Sequence, residues 1–187
     1  MNDPREGEVC ASCDPATMPA DAHLVFIGRA ETPWRERADC PKNLREARAR
    51  GGVFRIRIDG PWRPGLQDLR AGDVVVVLLW MDRARRDLIV QAPLHSPNPK
   101  GAFSLRSPVR PNPFGLDIVR ITAIDAEEGS ILVDALDCLD GTPVLDIKPW
   151  IEGVDVPPAK AAGSGASANR ALWCGSGSAS RWPPGRR

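Results

Sequence analysis

Apolar and charged side chains alternate over residues 53–58, Val-Phe-Arg-Ile-Arg-Ile. Successive side chains of a strand point to opposite faces, so this pattern predicts a strand with one buried face and one face that carries arginines. Residues 73–80 are apolar and mostly β-branched, which predicts a central strand buried on both faces. Residues 116–124 and 130–134 are two further apolar stretches, and the polar residues between them predict a hairpin.

Weaker patterns complete the predicted fold. Residues 24–28 and 87–91 are short apolar stretches that predict strands. Residues 44–50 predict a short helix with Asn43 as its N-cap and two glycines after its end. Several short strands with few helices indicate an all-β protein. We therefore predict a single small β-barrel with short helices in its loops, because closing a sheet removes its exposed edges.

The two ends of the chain lack these patterns. Residues 1–21 have no hydrophobic period, and we expect them to form a flexible N-terminal arm. The barrel domain is predicted over residues 22–152. Residues 153–187 are rich in glycine, serine and arginine, and a segment of this composition buries too little apolar area to order itself. We therefore expect a disordered C-terminal tail.

Composition limits the cell compartment and the kinds of site. The chain has 187 residues, of which 42% are hydrophobic, enough for one domain with a core. The longest apolar run, Val74 to Met81, is too short to cross a bilayer, and the first residues do not resemble a signal peptide. We therefore expect a soluble, cytoplasmic protein that does not contact a membrane. Five cysteines without an export signal predict reduced thiols.

A zinc site is the alternative use of the cysteines. Cys10 and Cys13 form a CxxC motif, but the sequence has no second CxxC. Structural zinc needs four well-spaced ligands, and Cys40, Cys174 or His23 would have to supply the others. We predict no metal site.

Charge gives a weak indication of a nucleic-acid surface. The formal net charge is only +1, which argues against a protein that coats nucleic acid. Arginines nevertheless cluster in two places, and such clusters either are ordinary solvated faces or contact phosphates. The two clusters are Arg45, Arg48, Arg50, Arg55 and Arg57, and Arg83, Arg85 and Arg86.

The segment from Arg106 to Gly115, Arg-Ser-Pro-Val-Arg-Pro-Asn-Pro-Phe-Gly, carries the strongest chemical indication. Proline fixes its own φ and biases the preceding residue toward extended geometry, so the segment predicts a stiff irregular loop. Arg106, Arg110 and Asn112 on such a loop can hold a polar ligand at a small entropic cost. The alternative is a structural turn. A second stiff polar segment, Asp140 to Pro149, follows downstream.

These two segments resemble the signature of the TsaA/TrmO (YaeB-like) family. The first signature has the pattern Arg-Ser-x-x-Arg-Pro-Asn-Pro-Ile-Gly, and this chain departs from it only at Phe114. The second, Asp-Gly-Thr-Pro-x-x-Asp-Ile-Lys-Pro-Tyr, is matched except at Trp150. The opening Ile27 to Trp34 also fits the family's start, so that the resemblance extends from about Leu24 to Ile151.

The resemblance implies a small β-barrel that forms a homodimer and binds S-adenosylmethionine. It further implies methylation of the exocyclic nitrogen of threonylcarbamoyladenosine, next to the anticodon, with tRNA as the partner. Two places depart from the best-known members: Lys42 and Asn43 stand where those members have arginine and glutamine, and Asp82 stands where they have histidine. The positions that match the family's cofactor contacts are Pro41, Lys42, Asn43, Asp82, Arg83, Arg106, Ile118, Asp140, Gly141, Thr142 and Pro143.

The candidate roles follow from the chemistry of S-adenosylmethionine. The cofactor calls for an apolar slot with a few polar groups. Arg106 can pair with its methionyl carboxylate, and Asp140 can accept from its ribose hydroxyls or amino group. The sequence lacks the Rossmann fingerprint of common methyltransferases.

The methyl acceptor needs further groups. Its nitrogen must lose a proton, and the candidate bases are Asp82, Asp140 and Asp146. Arg110, Asn112 or Lys148 could hold the threonyl carboxylate of the substrate, although Asp146 and Lys148 could equally pair with each other. Two alternatives stay open: a methyltransferase that acts on another substrate, and a cofactor-binding or regulatory module without turnover.

Overall fold

The computed structural model describes residues 3–94 and 96–157; the predicted tail beyond these, with Cys174, and His95 lie outside the described residues. Two α-helices, α1 (Leu44–Arg50) and α2 (Glu152–Asp155), and two 3-10 helices (Gly60–Leu66 and Ala102–Ser104) occur within them. The strands are β1 (Val9–Cys10), β2 (Gly28–Glu31), β3 (Phe54–Ile58), β4 (Val74–Trp80), β5 (Leu88–Gln91), β6 (Lys100–Gly101), β7 (Phe114–Asp125), β8 (Ser130–Val133) and β9 (Pro143–Pro149).

Six of these strands close into a barrel in the order β2-β3-β8-β7-β4-β9, and each neighbouring pair is antiparallel. The predicted all-β barrel is therefore confirmed. Alternate residues of each strand fill the interior, and each fully buried aliphatic side chain contributes about 1.5–3 kcal/mol of burial free energy. The largest buried side chains are Ile56, Ile58, Leu79, Ile121, Ile131 and Leu136.

Several predicted elements form as the sequence indicates. Strand β3 buries Phe54 and its apolar alternates and leaves the two arginines half-exposed. The backbone N–H of Glu46 donates to the Asn43 side chain at 3.0 Å, so Asn43 is the N-cap of α1. Strands β7 and β8 pair as the predicted hairpin. Gly51 ends α1 with a φ of 68°, a conformation that glycine adopts without strain.

Strand β4 differs from the prediction. It lies between β7 and β9, as expected of a central strand, but Val75, Val77 and Leu79 alone are fully buried. The alternate residues are half-exposed, because a barrel strand has one inner face. The prediction of burial on both faces was wrong. Two strand positions also shift: the strand expected over 24–28 lies at β2, and β5 belongs to a separate sheet.

Strand β9 corrects the prediction for the second polar segment. The sequence indicated a stiff loop from Asp140 to Pro149, but residues from Pro143 onward pair with β4 and β2 and close the barrel. Val144 is completely buried. The two prolines are tolerated because they stand at the first and last positions of the strand.

A second sheet, β1-β5-β6, holds part of the N-terminal segment. Val9 pairs with Val90, the Ala11 N–H donates to the Asp87 carbonyl at 2.6 Å, and Arg5 donates to the Ala92 carbonyl at 2.9 Å. The expectation of a flexible arm therefore does not describe residues 5–11. Helix α2 belongs to a second compact unit, which begins at Glu152. No helix in the described ranges has the length and apolarity to span a bilayer.

Candidate functional site

The proline-rich loop is held in place by its own arginine. Arg110 donates to the carbonyls of Ser107 at 2.8 Å and Ala102 at 3.3 Å, and also to that of Leu105. Carbonyls of the loop thus occupy its guanidinium, which gives the loop its shape. These bonds support a structural role, although Arg110 remains a predicted substrate contact.

A second arginine fixes the end of the same loop. Arg86 donates to the Pro111 carbonyl at 2.6 Å and approaches the Asn112 side-chain oxygen at 3.5 Å. Its guanidinium lies 5.5 Å from the Trp80 ring centroid, within the range of a cation–π contact. Trp80 in turn meets Phe114 edge-on at 5.5 Å. The loop is therefore anchored to the barrel wall next to β4 and β7.

A concave region of about 560 Å³, here called the α1–β7 pocket, lies between helix α1 and the outer face of β7. It brings together three predicted cofactor residues from distant segments: Asn43, Arg106 and Ile118. Arg106 donates to the Leu116 carbonyl at 3.1 Å, which places its guanidinium beside β7. The complete lining is Asn43, Leu44, Arg45, Arg48, Arg106, Leu116, Ile118 and Asp137.

Two carboxyl groups at this pocket were not predicted from the sequence. Asp117 occupies an inward position of β7 and is only 2% exposed, while Asp137 lines the pocket. The Asp137 N–H donates to an Asp117 carboxyl oxygen at 3.4 Å. Burial, together with the charge of Asp137, raises the pKa of Asp117 well above its usual value.

The pKa of Asp137 is also raised in these surroundings. Burial raises its pKa, while the hydrogen bond with Asp117 and the positive charge of Arg106 oppose that rise. The pattern of β7 contained a signal for Asp117. Gly115, Asp117, Val119 and Ile121 share the inner face, so an aspartate stands where the alternation demands an apolar residue.

The predicted turn at Asp140 lies in a different depression, of about 570 Å³. Asp140 accepts from the Thr32 N–H at 3.0 Å and from the Arg35 guanidinium at 2.5 Å, so both of its oxygens have partners. The residues that line this depression are Glu31, Thr32, Pro33, Arg35, Val53, Arg55 and Asp140. None of them lines the α1–β7 pocket.

The rest of this turn also binds the barrel. Gly141 has a φ of 80°; its N–H donates to the Ala30 carbonyl at 2.8 Å, and its own carbonyl accepts from Arg29 at 2.9 Å. The buried Thr142 hydroxyl donates to the Leu139 carbonyl at 2.7 Å, and Pro143 begins β9. Asp140 to Pro143 thus anchor this turn to the barrel.

The other predicted residues are dispersed. Asp82 and Arg83 are exposed in the turn after β4, Pro41 is buried and Lys42 is exposed; none of the four lines either depression. Asp146 and Lys148 form an ion pair at 2.8 Å on the outside of β9, as the alternative interpretation expected. In the described ranges, no group of three or more His, Cys, Asp or Glu could hold a metal ion.

Intramolecular partners contact most arginines of the first predicted cluster. Glu31 pairs with both Arg55 and Arg57, at 2.9 and 3.0 Å. Arg48 pairs with Asp134 at 2.7 Å, and Arg50 lies 4.3 Å above the Trp34 ring. Arg45 makes no ion pair within residues 3–94 and 96–157. These arginines therefore resemble a paired, solvated surface more than a dedicated phosphate-binding surface.

Comparisons with known proteins agree with the barrel. Residues 29–156 match the family described as the tRNA-methyltransferase O N-terminal domain. A probable S-adenosyl-L-methionine-binding protein VirR of Rhizobium radiobacter is 42% identical over 104 residues, which cover 56% of this chain and 58% of that protein. An S-adenosyl-L-methionine-binding protein of Archaeoglobus fulgidus is 36% identical over 121 residues, or 59% of this chain and 85% of its own length.

Solved structures of TrmO proteins superpose on this chain. A crystal structure of TrmO from Pseudomonas aeruginosa superposes with a TM-score of 0.58 and 25% identity, over 77% of this chain and 62% of that one. A second TrmO crystal structure has a TM-score of 0.60 and 26% identity, over 77% and 64%. This chain therefore spans about three fifths of the length of VirR and of these TrmO chains.

Proposed function

Because the chain belongs to the tRNA-methyltransferase O N-terminal domain family, we propose that it is an S-adenosylmethionine-dependent methyltransferase whose α1–β7 pocket holds part of the cofactor. The observation that carries the proposal is the convergence of Asn43, Arg106 and Ile118, which are far apart in sequence, on one pocket. The relatives named as S-adenosyl-L-methionine-binding proteins support the choice of ligand.

The chemistry of the pocket fits this cofactor. Leu44, Leu116 and Ile118 supply an apolar wall, and Arg106 supplies donors for a carboxylate. The Asn43 carbonyl oxygen caps α1, which leaves its amide N–H groups available to a ligand. The sulfonium of S-adenosylmethionine carries the methyl group that is transferred. The protein's contribution to such a displacement is to align donor and acceptor and to exclude water.

We further propose tRNA that carries threonylcarbamoyladenosine as the methyl acceptor. Family membership supports this substrate. Asp140 and Asp146 are each ion-paired, with Arg35 and Lys148, which makes them less available as bases than the exposed Asp82. Arg110 and Asn112 belong to the anchored loop and Lys148 to an ion pair, so their predicted contacts with the substrate require these bonds to rearrange.

A transfer assay tests this function. The protein is incubated with methyl-labelled S-adenosylmethionine and with tRNA prepared from cells that either make or lack threonylcarbamoyladenosine. Label in the modified tRNA alone is the expected result. Label in both samples, or in a small molecule instead, would assign another acceptor. Binding of S-adenosylmethionine without label in any acceptor would favour a non-catalytic binding module.

Two observations support the alternative function of a non-catalytic module that binds the cofactor. Asp82 stands where the best-known members of the family have histidine, and the relatives matched here are named for binding rather than for transfer. The same assay separates the two functions, provided that cofactor binding is measured in parallel by calorimetry.

We also propose a homodimer formed through the outer face of β4 and β7. Three apolar pairs face outward across these strands: Val76 with Ile118, Leu78 with Leu116, and Trp80 with Phe114. Phe114 and Leu116 are 44% and 43% exposed. Since Leu116 and Ile118 also line the α1–β7 pocket, a second copy on this face would enclose the cofactor more completely.

A further inference from the structure

Asp137 gives the α1–β7 pocket a negative group that none of the predicted cofactor residues supplies there, and the buried Asp117 accepts a hydrogen bond from the Asp137 backbone N–H. Asp140, the carboxylate expected to meet the cofactor, lies in the other depression and has a partner for each oxygen. Asp137 lines the α1–β7 pocket together with Arg106. The pocket thus presents a guanidinium and a carboxyl group on the same concave surface.

We infer that Asp137 binds the α-ammonium of the amino-acid end of S-adenosylmethionine while Arg106 binds its α-carboxylate, and that Asp117 positions Asp137. This inference rests on the proposed function, because it names the part of the cofactor that the pocket recognises. An amino-acid end is a zwitterion, and a pocket that offers both a guanidinium and a carboxylate can satisfy both of its charges. Of the other two arginines that line the pocket, Arg48 already pairs with Asp134, and Arg45 lies on α1.

The buried position of Asp117 explains its supporting role. A carboxyl that is 2% exposed, with a second carboxyl beside it, is far easier to hold in the protonated form than as a second charge. A neutral Asp117 can donate a hydrogen bond to the Asp137 carboxylate, and the Asp137 N–H donates back to it at 3.4 Å. Asp137 therefore keeps a single negative charge in a fixed position.

Three ligands test the inference by calorimetric titration: S-adenosylhomocysteine, its analogue without the α-amino group, and its analogue without the α-carboxyl group. Asp137→Asn should lower the affinity for the two ligands that carry the amine about 10- to 100-fold, as expected for a hydrogen bond to a charged group, and should leave the amine-free ligand unchanged. Arg106→Gln should lower the affinity for the two carboxylate-bearing ligands and spare the third.

The acidic groups predict a pH signature. Asp137 is faced by Asp117, Arg106 and the thiols of Cys40 and Cys138, and Arg45 and Arg48 of α1 line the same pocket. Only the carboxylate attracts an ammonium, so affinity for the amine-bearing ligands should fall as the pH drops through the raised pKa of Asp137. The amine-free ligand and the Asp137→Asn variant should both lack this fall. A structural role for Asp137 would lower the affinity for all three ligands at every pH.

The control variant is Asp68→Asn, which removes an equal charge from an exposed residue whose φ of 70° asparagine tolerates. Asp137→Glu keeps the charge and should recover part of the lost affinity. This recovery would show that the asparagine variant binds less tightly because it lost the charge and not because it misfolded. Equal affinities of wild type and Asp137→Asn for all three ligands would overturn the inference while leaving the function standing. Failure of wild type to bind any of the ligands would instead defeat the proposed function itself.

Discussion

Asp117 occupies a position on β7 whose neighbours on the same face are apolar, and its protonation links stability to pH. Its pKa is raised in the folded chain, so the folded state keeps its proton at pH values where the unfolded state has already lost it. Stability that depends on this residue is therefore greatest below the usual aspartate pKa of 3.8 and declines as the pH rises. Asp117→Asn should raise the free energy of unfolding more at pH 8 than at pH 4, as measured by urea denaturation. An equal change at both pH values would show that folding does not raise the pKa of Asp117.

Gly28 shows a different constraint at the scale of one residue. A Cβ built on Gly28 would lie 2.1 Å from the Arg57 carbonyl oxygen, on the neighbouring strand β3. Neither backbone can move without breaking the β2–β3 ladder. Gly28→Ala should cost about 1–3 kcal/mol of stability or more, the range for overpacking. Gly60→Ala is the matched control, because a Cβ there meets nothing within 4 Å. Similar melting temperatures for the two variants would contradict the prediction.

The role of a single residue could be predicted from the sequence where its contacts are with residues close to it in the chain. The Asn43 cap and the Asp146–Lys148 pair depend on residues two or three positions apart, and both form. The roles of Asp137 and Asp140 depend on how segments that are distant in sequence pack together. The positions of these two residues in the sequence do not indicate that packing. Sequence could place Asp140 in a turn, but it could not show that Thr32 and Arg35 occupy its carboxylate.

At the scale of elements, one ion pair lies next to the small sheet formed by β1, β5 and β6. The hydrogen bond from Arg85 lowers the pKa of Asp87 to about 2, and the Asp87 carbonyl accepts from Ala11 next to β1. Since the pKa is depressed, the stabilisation is present above the usual value of 3.8 and is lost as the pH falls toward about 2. Asp87→Asn should speed hydrogen exchange of the Cys10 and Ala11 amides at pH 6 and should leave exchange in β7 unchanged. Identical exchange of Cys10 and Ala11 in both proteins would show that the ion pair does not hold β1.

Whole elements were predictable when one face of a strand is apolar and the other is not. Strand β3 and the β7–β8 hairpin follow such alternation, and both form. Strand β9 was missed because its prolines and its charged residues indicate a loop, whereas its pairing is decided by the need to close the barrel between β4 and β2. Closure is a property of six strands together, and no single segment encodes it.

At the scale of the whole molecule, the barrel class followed from the number and spacing of strands, while the domain boundaries remain a proposal. We propose that the barrel domain, predicted over residues 22–152, folds without residues 159–187. Removal of residues 159–187 should keep the thermal midpoint within about 4 °C, which corresponds to less than about 1 kcal/mol for a domain of this size. A larger loss would mean that this segment contributes to the stability of the barrel.

The proposed homodimer gives the last prediction at this scale. Phe114 and Trp80 meet on the outer face of β4 and β7, and neither lines the α1–β7 pocket. A charge buried at an apolar interface loses its hydration, so Phe114→Glu should convert a dimer into a monomer at micromolar concentration, as measured by sedimentation equilibrium. Leu94→Glu is the control, since Leu94 is 96% exposed outside this face, and it should leave the dimer unchanged.

If a second copy encloses the cofactor, Phe114→Glu should also weaken binding of S-adenosylhomocysteine although every pocket residue is retained. A wild-type protein that stays monomeric at all concentrations would refute the dimer, and a monomeric Phe114→Glu variant with full affinity would show that one chain holds the cofactor alone.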